Sequence, residues 1–329
     1  MTVNETLATY SNYLVYGAMA AYTIAMIAFA VGFAALRGRD LVPVAAAPAE
    51  QGVGGVAVAT KVEIAVGGPD DGALPPGRRA GNIGMSLTWL GTLLLGVGVL
   101  LRGLSVQRAP WGNMCEFSTA SAFAVAATFL VISLRRDVRW LGVFVVTPVL
   151  LTLGAAMTFL YTDAEQLVPA LKSYWLVIHV SAAMICGGAF AVGAAVTVLF
   201  LVADAGERRA RLGQPYRLDW LARRLPESPR LDAMAYRIHA FMFPLWTFAI
   251  VAGAIWAENA WGRYWGWDPK ETWAFITWVA YAAYLHARAT VGWKGRKAAV
   301  IALVAFGCFL FNYFGVNILI TGLHSYAGV

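Results

Sequence analysis

Thirteen residues, WGRYWGWDPKETW from Trp261 to Trp273, hold four Trp and one Tyr. With Trp256 added, six rings (Trp256, Trp261, Tyr264, Trp265, Trp267 and Trp273) fall within 18 residues, interrupted by Gly262 and Gly266. Such a cluster makes a wide apolar face edged with N–H donors, suited to a planar, partly apolar ligand. Trp and Tyr also collect at membrane interfaces, so a belt accounts for part of it. The density, and glycines that let backbone approach a ligand, favour the ligand surface. The charged half, Asp268-Pro269-Lys270-Glu271, reads as a helix start. Asp is a good N-cap, Pro suits the first helical position, and Glu three residues after the cap closes a capping box. The chain has only four histidines, His179, His239, His286 and His324. An imidazole is a common metal ligand, and a ligand surface beside imidazoles is a place for a flat metal complex.

The elements that must position these groups are membrane spans. The chain has 329 residues, 60% of them hydrophobic and 13% charged. That is too apolar for a soluble globular domain. Apolar runs of about 20 residues, the length that crosses a bilayer as a helix, recur along the chain. They predict eight spans, at about 12–36, 83–103, 117–134, 141–160, 174–203, 236–257, 272–291 and 298–318. No period-two alternation suggests a transmembrane β-barrel. The expected fold is an all-α polytopic bundle. The first span has a long apolar run with no basic residue before it, so it is expected to be retained rather than cleaved. The segment 41–82, rich in Ala, Gly, Pro and Val, reads as a flexible loop. The Arg-rich segment 204–235 reads as a second, with a short amphipathic helix near Leu218–Arg224.

Eight spans divide the 25 Lys and Arg residues 20 to 5 between the two sides. The positive-inside rule then puts both termini and the Trp-rich loop outside. The net charge of +7 is explained by topology, with no nucleic-acid partner. Cys115, Cys186 and Cys308 lie far apart with no CxxC spacing, which gives no redox pair or thiolate metal site.

On this topology His179, early in the fifth span, and His324, just past the eighth, share the outer side with the aromatic surface. Two imidazoles beside such a surface suit the axial positions of a haem iron. Arg108, Arg263 and Lys270 are outer cations able to pair with haem propionates. Zinc fits less well, because it leaves the rings without use and wants more ligands close together. His286 lies about 21 Å along the seventh span from Thr272, at a depth where an ionisable group is a functional candidate. His239, beside Arg237, reads as a satisfied polar residue at the inner interface.

WGRYWGWDPKETW resembles the tryptophan-rich WWD motif of membrane haem-handling proteins. With SYWLVIHVSAA, APWGNMCEF, the run from GAIWAENAW to AYLHAR, and GVNILITGLHSYAG, the chain is similar to the CcsA (ResC) family of cytochrome c biogenesis proteins from about residue 84 onward. The resemblance implies a multi-pass protein of the bacterial plasma membrane that binds haem b. It would present haem on the outer face for covalent attachment to apocytochrome c carrying Cys-x-x-Cys-His. It would do so as part of a cytochrome c synthase, with a ResB/CcsB-type membrane partner. A haem chaperone of the CcmC kind, without ligation activity, is the alternative. Carried over by motif, His179 and His324 are the outer axial ligands and His286 is an iron ligand within the membrane. Trp256, Trp261, Arg263, Tyr264, Trp265, Trp267, Asp268 and Trp273 form the haem-contacting segment. The implied organisation is an N-terminal helix at 1–36, a cytoplasmic loop at 37–82, and a haem-handling domain at 83–329 with its Trp loop at 258–273.

Overall fold

The computed structural model describes residues 3–39, 41, 77–164 and 173–324. Most of the Ala/Gly/Pro loop lies outside the described residues. In chain order the helices are α1 (Glu5–Ala34), α2 (Arg78–Val106), α3 (Met114–Ser133), α4 (Gly142–Thr158), α5 (Tyr174–Arg211), α6 (Asp219–Ala222), α7 (Ser228–Trp261), α8 (Pro269–Ala289), α9 (Arg296–Leu310) and α10 (Val316–Leu319). A π turn, Phe311–Gly315, joins α9 to α10. Among the described residues there is no strand, in accord with the all-α expectation. The short α6 lies within the stretch expected to be amphipathic.

Among the described residues, seven helices are long and apolar enough to cross a membrane. The seventh expected span, 272–291, forms as α8, 21 residues long, but is not among those seven. Its sequence explains why: Trp273, Trp278, Tyr281 and Tyr284 replace aliphatic residues, and Lys270, Glu271, His286 and Arg288 occupy its ends. Such rings pack well but register weakly as apolar, because each carries a polar atom.

α1 packs along α2 and α5 packs along α7. Two buried apolar clusters result. The larger joins α1 to α4 with the second half of α5, around Tyr22, Phe29, Phe129, Leu141 and Leu153. The smaller joins α5, α7, α8 and α9, around Cys186, Phe190, Trp246 and Tyr281. The two meet along α5, whose 38 residues make a rod about 57 Å long. Where α5 meets α3, a Cβ on Gly188 would stand 2.6 Å from the Ala124 carbonyl carbon. Only Gly allows that approach, the usual way membrane helices maximise contact where lipid supplies no hydrophobic drive. At the end away from the Trp loop, ion pairs clamp the helices. Arg288 holds Asp232 with two bonds, at 2.7 and 2.9 Å, and Arg296 pairs with Asp204.

Candidate functional site

His179 lies in the second turn of α5. Its Nδ1 is 2.7 Å from the Ala249 carbonyl of α7. A carbonyl only accepts, so Nδ1 carries the proton and the lone pair is on Nε2. The contact exists because residue 253 is Gly: a Cβ there would stand 2.7 Å from His179 ring atoms. His324 follows α10. Its Nδ1 is 2.6 Å from Asp268 Oδ2, so a neutral ring again presents Nε2 as its basic nitrogen. A carboxylate or carbonyl behind one ring nitrogen is the arrangement that orients a metal-binding histidine.

Asp268 shows how the sequence achieves this. It caps α8, accepting from the Lys270 N–H, and Glu271 completes a capping box. Its other oxygen accepts the Leu323 N–H at 2.7 Å, which ties down the turn carrying His324. Burial pushes the Asp268 carboxyl up. The His324 bond, the Leu323 N–H, the His324 charge and the Lys270 N–H together outweigh that and hold it below its ordinary value. The capping grammar of Asp-Pro-Lys-Glu is therefore present, with a second duty that spacing alone does not reveal.

Trp256, 1% exposed, packs against both histidines. The His179 ring lies parallel to it at 6.4 Å, and His324 is 5.7 Å away on a tilt. Both histidines line one cavity of about 400 Å³. That lies within the range of roughly 300–1,000 Å³ typical of small-molecule sites. It sits between the two halves of the bundle, with Trp256, Tyr264 and Trp265 at the histidine end and Trp246, Phe306 and Phe309 deeper. Among the described residues no group of three or more His, Cys, Asp or Glu is arranged to hold a metal ion. The donor set of the cavity is two imidazoles in an apolar, aromatic wall, which fits a haem.

The six rings do not form one surface. Trp261 packs against Trp256 at 4.7 Å and His324 at 5.0 Å, behind the cavity wall. Trp273 lies on Phe311 at 4.2 Å. Trp267 is 67% exposed, stacked edge-on to Trp265 and Phe275. Its φ of 58° is a left-handed backbone that bulky residues rarely adopt. The two glycines also have other reasons than ligand approach. Gly262, at φ 69°, ends α7. Gly266 leaves room for the Arg263 guanidinium, which a Cβ would overlap. Arg263 pairs with Glu271 at 3.3 Å, and Arg108 with buried Glu116 at 2.7 Å.

His286 is exposed near the end of α8, 3.4 Å from Thr290 Oγ1, and does not line the cavity. His239 differs from its expected role as a satisfied interfacial residue. It is 0% exposed, packed among Phe190, Tyr281 and Tyr284, and neither ring nitrogen has a hydrogen-bond partner among the described residues. The small residue Gly193 on α5 admits it, with a Cβ there falling 2.6 Å from its Cε1. Cys115 is buried at the start of α3.

Sequence reasoning missed Asn312 and Asn317, both on the cavity wall. Their signal was there: two amides inside the last apolar run. Five residues along an α-helix turn about 500°, which would set the two about 140° apart. The π turn at Phe311–Gly315, with its i→i+5 bonds, brings them round to the same wall.

Residues 111–324 match the family model described as cytochrome C assembly protein. That range begins and ends on cavity residues, Trp111 and His324. The chain is 38% identical over 265 residues to a cytochrome c biogenesis protein CcsA of Synechococcus elongatus, covering 68% of this chain and 81% of the relative. It is 37% identical over 287 residues to CcsA of Microcystis aeruginosa, covering 74% and 87%. The solved structure of a cytochrome c haem lyase, CcmF, superposes with a TM-score of 0.61 at 15% identity, covering 99% of this chain and 49% of that one. At that identity the likeness is one of fold. The helices and the family match together define a multi-pass membrane protein of cytochrome c assembly. The chain belongs to the CcsA family of cytochrome c biogenesis proteins.

Proposed function

We propose that the chain binds haem b at the Trp-loop end and presents it for covalent attachment to apocytochrome c, with a ResB/CcsB-type membrane partner. The observation that carries this is the matched pair His179 and His324. Each has its Nδ1 hydrogen committed to an oxygen, and both line one aromatic cavity. His179 and His324 would hold the iron, with Trp256 packed against both imidazoles and Tyr264 and Trp265 in the wall. An apocytochrome supplies Cys-x-x-Cys-His. Each thiol adds across a haem vinyl, forming a C–S bond and a C–H bond, with no oxidant consumed. The chain supplies no acid or base to this step; holding the reactants in place can itself account for several kcal/mol of barrier. The distribution of basic residues supports a Trp loop on the extracytoplasmic side of the bacterial plasma membrane. His286, exposed on α8, would be the iron ligand of a separate membrane site.

Absorption spectra of the purified chain test the reading. Wild type is expected to carry haem with a bis-imidazole spectrum that changes in His179→Ala and His324→Ala and is restored by imidazole. Haem content and spectrum unchanged in both variants would remove the ligand assignment. Bound haem that never becomes thioether-linked, with the partner and a reporter apocytochrome present, would make the chain a chaperone of the CcmC kind.

A further inference from the structure

We infer that Lys270, positioned by Asn317, is the carboxylate-binding point of this cavity and takes a propionate of the porphyrin. The inference rests on the haem reading above. Three cations stand near the site, and the structure separates them. Arg108 is engaged by Glu116 and Arg263 by Glu271. Lys270 lines the cavity, and no carboxylate lies within ion-pair distance of its ammonium among the described residues. Its hydrogen-bond partner is neutral, Asn317 Oδ1 at 2.6 Å.

That amide is fixed. Its Nδ2 donates to the Tyr313 carbonyl at 2.6 Å and to Met114 Sδ, so Oδ1 must face the ammonium. An ammonium has three donors, and Asn317 takes one. The neighbouring carboxylates are hydrogen-bonded elsewhere, though the Asp268 charge acts on the ammonium from beyond bonding distance. Asp268 receives the His324 ring and the Leu323 N–H. Glu271 receives Arg263 and the backbone N–H groups of Gly266 and Asp268. An ammonium in an apolar wall is costly unless an anion meets it. A haem supplies that anion as a carboxylate at its edge.

The test is a Soret titration of the purified full chain with haem b and with its dimethyl ester, in which both propionates are masked. Wild type is expected to bind the free acid at least about tenfold more tightly than the ester, the worth of one charge-assisted hydrogen bond. Lys270→Met is expected to lose that preference through weaker binding of the free acid, while ester binding holds. Lys270→Arg is expected to keep most of it. Equal affinity of wild type for both ligands would overturn the inference, and so would an equal loss for both ligands in Lys270→Met. The wild-type comparison stands even if a variant fails to fold. Failure of the underlying reading looks different: the bis-imidazole spectrum would be indifferent to His179→Ala and His324→Ala. Absence of any haem binding in wild type would overturn both.

Discussion

Asp268→Asn separates the two duties of Asp268. Asn ranks with Asp as a helix cap, so the start of α8 should persist. The carboxylate, however, accepts from three donors: Lys270 N–H at 3.3 Å, Leu323 N–H at 2.7 Å and His324 Nδ1–H at 2.6 Å. An amide has one acceptor oxygen, so His324 and Leu323 can no longer both be served. Changing the residue that orients a metal-binding histidine typically lowers affinity about 10- to 100-fold. That is about 1.4–2.8 kcal/mol. The assay is haem affinity by Soret titration, read beside the melting temperature in detergent. The expected result is a loss of that size with melting shifted by only a few degrees. A variant with wild-type affinity and spectrum would refute the argument that Asp268 sets up His324. The same carboxyl gives a pH signature. Its folded value is depressed, so its ionised form stabilises the fold above the unfolded value, about 4. That contribution is lost as pH falls from there toward the folded value. Melting of wild type should therefore drop more steeply below about pH 4 than melting of Asp268→Asn.

Gly253→Ala should drive a methyl into the His179 ring and break its bond to Ala249. The expected cost is about 1–3 kcal/mol of stability, with loss of the His179 contribution to the haem spectrum. Unchanged spectra would show that the ring has room the structure does not display. Glu116→Gln leaves Arg102 and Arg108 without their shared buried carboxylate. It should cost about 3–5 kcal/mol in thermal or denaturant unfolding. Trp267→Ala, at an exposed ring on left-handed backbone, should change stability by no more than about 0.5 kcal/mol. A larger loss would mean that its edge contacts with Trp265 and Phe275 carry more than its exposure implies.

Much of this was legible because the physics is local. Apolar runs of bilayer length set the helices, and Asp268 to Glu271 announced the start of α8. The histidine pair stood out because the chain has so few. What stayed hidden depends on packing between distant segments. No spacing rule says that Asp268 reaches 56 positions ahead to His324. Nothing local shows that Arg263 folds back over Gly266 onto Glu271. The six rings looked like one surface because they are neighbours in sequence. The ends of α7 and α8 point them in different directions, and Phe311 of the π turn claims Trp273. His239 looked satisfied because it neighbours an Arg. Its environment is instead set by α5 and α8, which meet it only in the fold. The shortfall of α8 as an apolar span reflects the same trade, aliphatic residues given up for rings that pack inward.

The π turn in the last helix has a genealogical consequence. It makes the path from Asn312 to Asn317 one residue longer than a single α-helical turn allows. Deleting any one residue between them should restore a regular helix while keeping both amides on the wall, now at a spacing of four. A relative that lacks the extra residue therefore needs its polar pair at that closer spacing. Alignments across the family can read this directly, as a gap that moves in step with the distance between two amides.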